Sequence, residues 1–257
     1  MSYMSLVYQK VGAVGIITLN CPASENAIDL KLAAELGDVC SGISKDQGVK
    51  VVVITGTGER TFATGIDPHE LSLEFEDDQE AVWLSVAAQV SNLTCPVIAA
   101  INGDALGQGL ELALACDLRI AVETARFAMF HVAFGLIPWD GATQRLPRLV
   151  GAAKAMEMLL TGQIIDATEA CRIGLITKVV RREELMPLAT EVGQKMASKA
   201  SLALRYAKEA IIKGLDLTLE QGLHLEADLY ALLQTTEDRI EGIRAFREKR
   251  PPQFKDR

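Results

Sequence analysis

Two continuous apolar runs, each broken by glycine and followed by a helical pattern, constrain this chain more than any other feature. "VKVVVITGTG" (49–58) runs into "ERTFATGIDPHEL" (59–71), and "CPVIAAINGDALG" (95–107) runs into "QGLELALACD" (108–117) and then "LRIAVE" (118–123). β-Branched runs without polar alternation are strands buried on both faces. Such strands belong to parallel sheets covered by helices. Two shorter strands precede them, around "LVYQKVG" and "VGIITLN", and a helix begins near Asp29, whose carboxylate suits an N-cap. The pattern predicts an α/β fold.

After residue 151 the chain becomes almost wholly helical, with apolar i, i+3, i+4 spacing near 151–161, 166–173, 183–197, 200–214, 218–233 and 236–248. In "TLEQGLHLEADLYALL", Leu219, Leu223, Glu226, Tyr230 and Leu233 share one face. A helical tail of this kind packs either on its own core or on a neighbouring subunit. The expected division is a core over 1–195 and a helical region over 196–257, with no linker between them.

Composition narrows the function classes. At 257 residues, 49% of them apolar, the chain is long enough to bury a large core. A net charge of −8 argues against nucleic acid as the main partner, because phosphate binding needs a clustered positive surface. Runs such as "LVGAAKAMEMLL" are too short or too charged to span a bilayer, and no basic–apolar leader opens the sequence. The five cysteines (21, 40, 95, 116, 171) form no CxxC pair, which reads as reduced thiols without a zinc site or disulfide frame. The expectation is a soluble, cytoplasmic, metal-free globular protein.

Glu111 stands out against this background. Between Ala105 and Cys116 it is the one ionisable residue apart from Cys116 itself. An unpartnered buried carboxylate costs several kcal/mol or takes up a proton. Either nearby backbone satisfies Glu111, or the residue is there for chemistry. The glycines of "TFATGID" and "ALGQG" let backbone approach a ligand or another strand. A loop entering a helix N-terminus also directs N–H groups outward. Two such loops facing each other make an oxyanion hole for a carbonyl that becomes enolate-like.

These stretches, together with "NCPASENAI", "FGLIPWDGATQRLPRLVG" and "TTEDRIEGIRAFREKRPPQF", resemble the crotonase (enoyl-CoA hydratase/isomerase) family over essentially the whole chain. The resemblance implies a spiral of β-β-α units with a C-terminal helical trimerisation region, assembled as a homotrimer or hexamer. It implies an acyl-CoA thioester as ligand, with coenzyme A entering as part of the substrate and no separate cofactor. By motif the oxyanion-hole amides fall on Ile66 and Gln108, beside Gly65 and Gly109. The adenine end of the ligand would lie along Thr64 to Asp67. Glu111 takes the place of the glutamate that orients or deprotonates water.

The chain also departs from that pattern. The second glutamate of the usual hydratase, four residues before the glycine of "GLIP", is His131 here. Either His131 delivers the α-proton, since imidazole titrates near neutral pH, or Glu111 handles both transfers and His131 shapes the pocket, or His131 is satisfied by backbone. Ile66 and Gln108 stand where smaller residues are frequent, and Glu25 and His69 stand where a basic residue often meets the phosphates. His224 and Tyr230 read as helix-packing residues, Asp117 as a turn former, and Trp139 and Asp140 as pocket shape. The leading function is a lyase that reversibly hydrates an α,β-unsaturated acyl-CoA, cyclic and dienoyl ones included. The alternatives are a malonyl-type acyl-CoA decarboxylase and a weakly catalytic CoA-binding relative.

Overall fold

The computed structural model describes residues 3–66 and 85–256. Its main sheet has six strands in the order β1 (Leu6–Val11), β2 (Val14–Leu19), β4 (Val51–Gly56), β7 (Val97–Ile101), β9 (Leu118–Val122) and β12 (Lys178–Val180). β1 and β2 form an antiparallel hairpin, and every later pairing is parallel. The two runs that dominate the sequence are neighbours at the centre, with Val52 opposite Val97 and Thr55 opposite Ala100. All of β4 and β7 is buried, as continuous apolar strands require.

A second sheet, absent from the pattern of the sequence, lies beside the first. Its order is β11 (Ile165–Asp166), β10 (Arg126–Ala128), β8 (Asp104–Leu106) and β5 (Thr61–Ala63), and β3 (Ala27–Ile28) pairs with β6 (Gly65–Ile66). The segments read as loops after each buried run therefore hold strands of two or three residues. So short a strand shows no period, and pairing with residues far along the chain stabilises it. The chain thus winds repeatedly through the main sheet, then the second sheet, and then a helix.

Most helices fall where their patterns place them, whereas those at 86–91 and 142–150 are not anticipated by the sequence reading. α1 (Leu30–Lys45) starts at Asp29, whose Oδ1 accepts from the Leu32 amide at 2.6 Å. A short helix, α2 (Val86–Ser91), precedes β7, and α3 (Gln108–Ala115) follows β8 with all eight of its residues buried. α4 (Ala142–Val150), α5 (Ala152–Thr161) and α6 (Ala167–Arg172) follow. α7 (Arg182–Ala197) lies across β2, β4, β7 and β9. The tail is α8 (Ser201–Gly214), α9 (Leu219–Leu233) and α10 (Glu237–Arg247). Lys208 ties α8 to the sheet by bonding the Leu93 and Cys95 carbonyls at 2.9 Å and Asp117 at 2.8 Å. Asp117 also accepts from the Val97 amide, which fixes the turn into β9 as the sequence suggests.

The apolar stripe of α9 lies differently. Leu219 is 81% exposed and Tyr230 64%, with Leu223 also exposed, and Leu229 is the residue this helix buries. Within one chain, the stripe does not pack on the core.

Candidate active site

Asparagines and glycines set the two loops face to face. The side chain of Asn102, at the end of β7, accepts from the Gly56 amide at 2.9 Å and donates to the Gly58 and Thr61 carbonyls at 3.0 Å each. Asn26 donates to the Thr57 and Thr61 carbonyls from the other side. Together they hold the turn after β4 in a set path, a role the sequence reading did not assign to either. The chain then passes Thr64, whose hydroxyl donates to the Glu25 carbonyl at 3.4 Å, and reaches Gly65 at φ +90°.

At Gly65 the loops meet. A β-carbon there would stand 2.8 Å from the Gln108 nitrogen and 3.1 Å from the Leu106 carbonyl oxygen. One on Gly109 would stand 2.1 Å from the Ala63 carbonyl oxygen. Both positions need glycine because backbone passes against backbone. The Ile66 backbone is registered against Ile28 in the β3–β6 pair, one residue beyond this contact. Thr64, Gly65, Gln108 and Gly109 thus gather at the N-terminus of α3. Asp67 and His69 lie outside the described residues.

Glu111 is fully buried in the first turns of α3, and its two carboxylate oxygens are treated differently. Oε1 accepts from the Asp140 amide at 3.0 Å and from the Ala142 amide at 2.9 Å. Ala142 is the first residue of α4, so the carboxylate sits at the N-terminal end of a second helix as well as inside its own. Of the two readings of the sequence, backbone satisfaction thus holds for Oε1, through two amides at the start of α4. Oε2 is buried with no hydrogen-bond partner among the described residues. Burial raises the Glu111 pKa to about 7, with the two amides opposing the rise and the Asp140 charge adding to it.

His131 opens a short 3-10 turn, His131–Phe134, that ends at the left-handed Gly135. Its Nε2 lies 3.6 Å from Glu111 Oε2, beyond hydrogen-bond range but within reach of a shared small molecule. Burial lowers the His131 pKa. Both shifts favour the neutral forms and so work against an ion pair between the two groups. Trp139 packs edge-on against the imidazole with ring centroids 5.5 Å apart. His131 Nδ1 and Trp139 Nε1, like Glu111 Oε2, are buried without a hydrogen-bond partner among the described residues. Buried polar atoms are normally satisfied, so Glu111 Oε2, facing His131 Nε2, is open to a polar partner from a ligand.

The reading of Asp140 as pocket shape is corrected by its contacts. Its carboxylate accepts from the Ser85 hydroxyl at 2.6 Å, from the Val86 and Ala87 amides at 2.8 and 2.9 Å, and from Gln108 Nε2 at 3.2 Å. Its partners come from two separate stretches of chain, 85–87 and Gln108, and no local spacing reveals them. Among the described residues, no group of three His, Cys, Asp or Glu side chains is placed to hold a metal ion. Likewise, no described helix is long and apolar enough to cross a membrane.

Comparison with known proteins points one way. Residues 9–257 match the enoyl-CoA hydratase/isomerase family. A curated relative from Rhizobium meliloti, named "Probable enoyl-CoA hydratase", is 43% identical over 100% of both chains. The (E)-benzylidenesuccinyl-CoA hydratase of Thauera aromatica is 40% identical, covering 98% of this chain and 99% of its own. A crystal structure of enoyl-CoA hydratase from Bacillus anthracis superimposes with a TM-score of 0.95 at 40% identity, over 99% of this chain and 100% of that one. With a second sheet and a face-to-face pair of loops that the family resemblance led one to expect, the chain belongs to the enoyl-CoA hydratase/isomerase family as a hydratase-like enzyme of crotonase fold.

Proposed function

We propose that the protein reversibly hydrates the double bond of an α,β-unsaturated acyl-CoA, with Glu111 serving both proton transfers. The carrying observation is the asymmetry of Glu111: Oε1 is held by two amides, while Oε2 faces His131 with no partner among the described residues. A pKa of about 7 lets one group give and take a proton at neutral pH.

In this reading the thioester oxygen lies against the Ile66 and Gln108 amides, and water lies between Glu111 Oε2 and His131. Oε2 takes a proton from the water as its oxygen bonds to the β-carbon. The π electrons move through the α-carbon onto the thioester oxygen, forming an enolate held by the two amides. The protonated Oε2 then gives its proton to the α-carbon as the carbonyl re-forms. His131, neutral by burial, is a poor acid and orients the water. Thr64, Gly65 and Gly109 line the approach of the CoA moiety. The relatives named as hydratases support the same reaction, and the benzylidenesuccinyl relative favours including bulky and cyclic enoyl groups.

The uncovered stripe of α9 favours assembly. Leu219, Leu223 and Tyr230, together with Ile211 of α8 and Leu215 just after it, leave a large apolar surface in water. Further copies of this chain cover it, giving a trimer or hexamer.

The test is a panel of enoyl-, dienoyl- and malonyl-type CoA thioesters offered to the purified protein and to Glu111→Gln. Hydration of at least one enoyl-CoA, lost by several orders of magnitude in Glu111→Gln while thioester binding persists, is the expected result. Turnover of malonyl-type thioesters alone would replace this reading with decarboxylation. Tight binding without turnover of any thioester would leave a CoA-binding protein.

A further inference from the structure

Asp140 lies where three parts of the site join. Its carboxylate is buried and holds the Ser85 hydroxyl and the Val86 and Ala87 amides, which form the start of α2. The same carboxylate receives Gln108 Nε2, whose backbone lies against Gly65 at the meeting of the two loops. Its own amide donates to Glu111 Oε1, and its carbonyl accepts from the Arg145 guanidinium at 2.8 Å. A displacement of Asp140 therefore moves the base and the oxyanion loop together. We propose that Asp140 is a positioning residue that locks Glu111 and the Gln108 loop into one frame and places a negative charge beside the base.

This rests on the hydratase reading for its effect on rate, though not for its effect on Glu111. The charged or titratable neighbours of Glu111 are few. His131 faces Oε2 at 3.6 Å, and Asp140 and Arg145 flank the start of α4. α2 contributes no titratable side chain, and Asp104 of β8 is engaged with Arg126. The Asp140 charge raises the Glu111 pKa, since a like charge disfavours ionisation.

Asp140→Asn separates frame from charge. The Asn oxygen can take over the three N–H donors now on Oδ2, and the Ser85 hydroxyl can turn from donor to acceptor for the Asn amide. The measurement is an infrared difference titration of the Glu111 carboxyl, identified by its disappearance in Glu111→Gln, beside the pH profile of kcat/KM. In Asp140→Asn the Glu111 midpoint should fall by about half a pH unit or more. The acid limb of the profile should fall with it, and KM should stay within about threefold. In Asp140→Ala, kcat should drop at least about tenfold at nearly constant KM, because the shared frame is lost. An unfolded Asp140→Ala leaves the decision to Asp140→Asn. An unmoved Glu111 midpoint in Asp140→Asn overturns the proposal, even if hydration is vigorous. A shifted midpoint in a protein that hydrates no thioester upholds Asp140 and sinks the hydratase reading instead.

Discussion

Glu111 is a liability to the fold and, in the proposed reaction, the base, and its pH behaviour follows from its burial. Its pKa in the folded protein, about 7, lies above the ordinary 4.5, so the folded state binds this proton more tightly than the unfolded chain does. The stability this confers is complete below about pH 4.5 and is lost as pH rises through 7. Glu111→Gln, which cannot ionise, should therefore melt higher than the parent above pH 7, by up to about 3 kcal/mol, with the gain fading towards pH 4. Thermal melts of both proteins across that range check it, and equal melting at pH 8 would refute it. Activity runs the other way: kcat/KM should rise with pH through about 7 as Oε2 becomes a base. The magnitude of the loss in His131→Ala separates two roles. About tenfold fits a neutral imidazole that orients water, whereas a thousandfold loss would make His131 the donor of the α-proton.

Among the elements, the contact between the β5–β6 segment and the start of α3 does most for the site. Gly65→Ala puts a methyl group 2.8 Å from the Gln108 nitrogen at a backbone angle that alanine rarely adopts. The loops must part, so kcat/KM should fall by about a hundredfold, the scale of losing one oxyanion donor. Thermal melting and steady-state rates together check this, and a variant that melts lower but turns over normally would separate the loop contact from the oxyanion hole. The N-terminus of α4 belongs to the same scale. Its first amide is satisfied by Glu111 and not by a cap of its own, since Gly141 offers no side chain there. One helix therefore supplies Glu111, and the next supplies the amide that holds it.

At the scale of the whole molecule, the exposed stripe of α9 and the tip of α8 set the expected assembly. Light scattering at micromolar concentration should give the mass of a trimer or hexamer, and a stable monomer would rule that out. Leu219→Asp with Leu223→Asp should shift the population towards monomer, because each charge would be buried in the contact. The core should survive the change, since neither side chain packs on it.

The sequence alone determined the order of the long elements, the parallel character of the main sheet and the choice of Glu111 as the candidate base. Each of these is written locally: in the unbroken runs Val51–Thr55 and Val97–Ile101, in the cap at Asp29, and in a lone carboxylate within an apolar helix. The gathering of Thr64, Gly65, Gln108 and Gly109 was legible through the resemblance to a family, not through spacing. Only the tertiary structure decided the rest. The second sheet is made of strands too short to show a period. The stripe of α9, amphipathic by its spacing, turns away from the core. Asp140 changed from pocket wall to junction because its partners, Ser85 to Ala87, Gln108 and Glu111, lie 29 to 55 residues away along the chain. A sequence pattern reports which face of an element is apolar, whereas what a buried polar group bonds to is settled by whatever folding brings beside it.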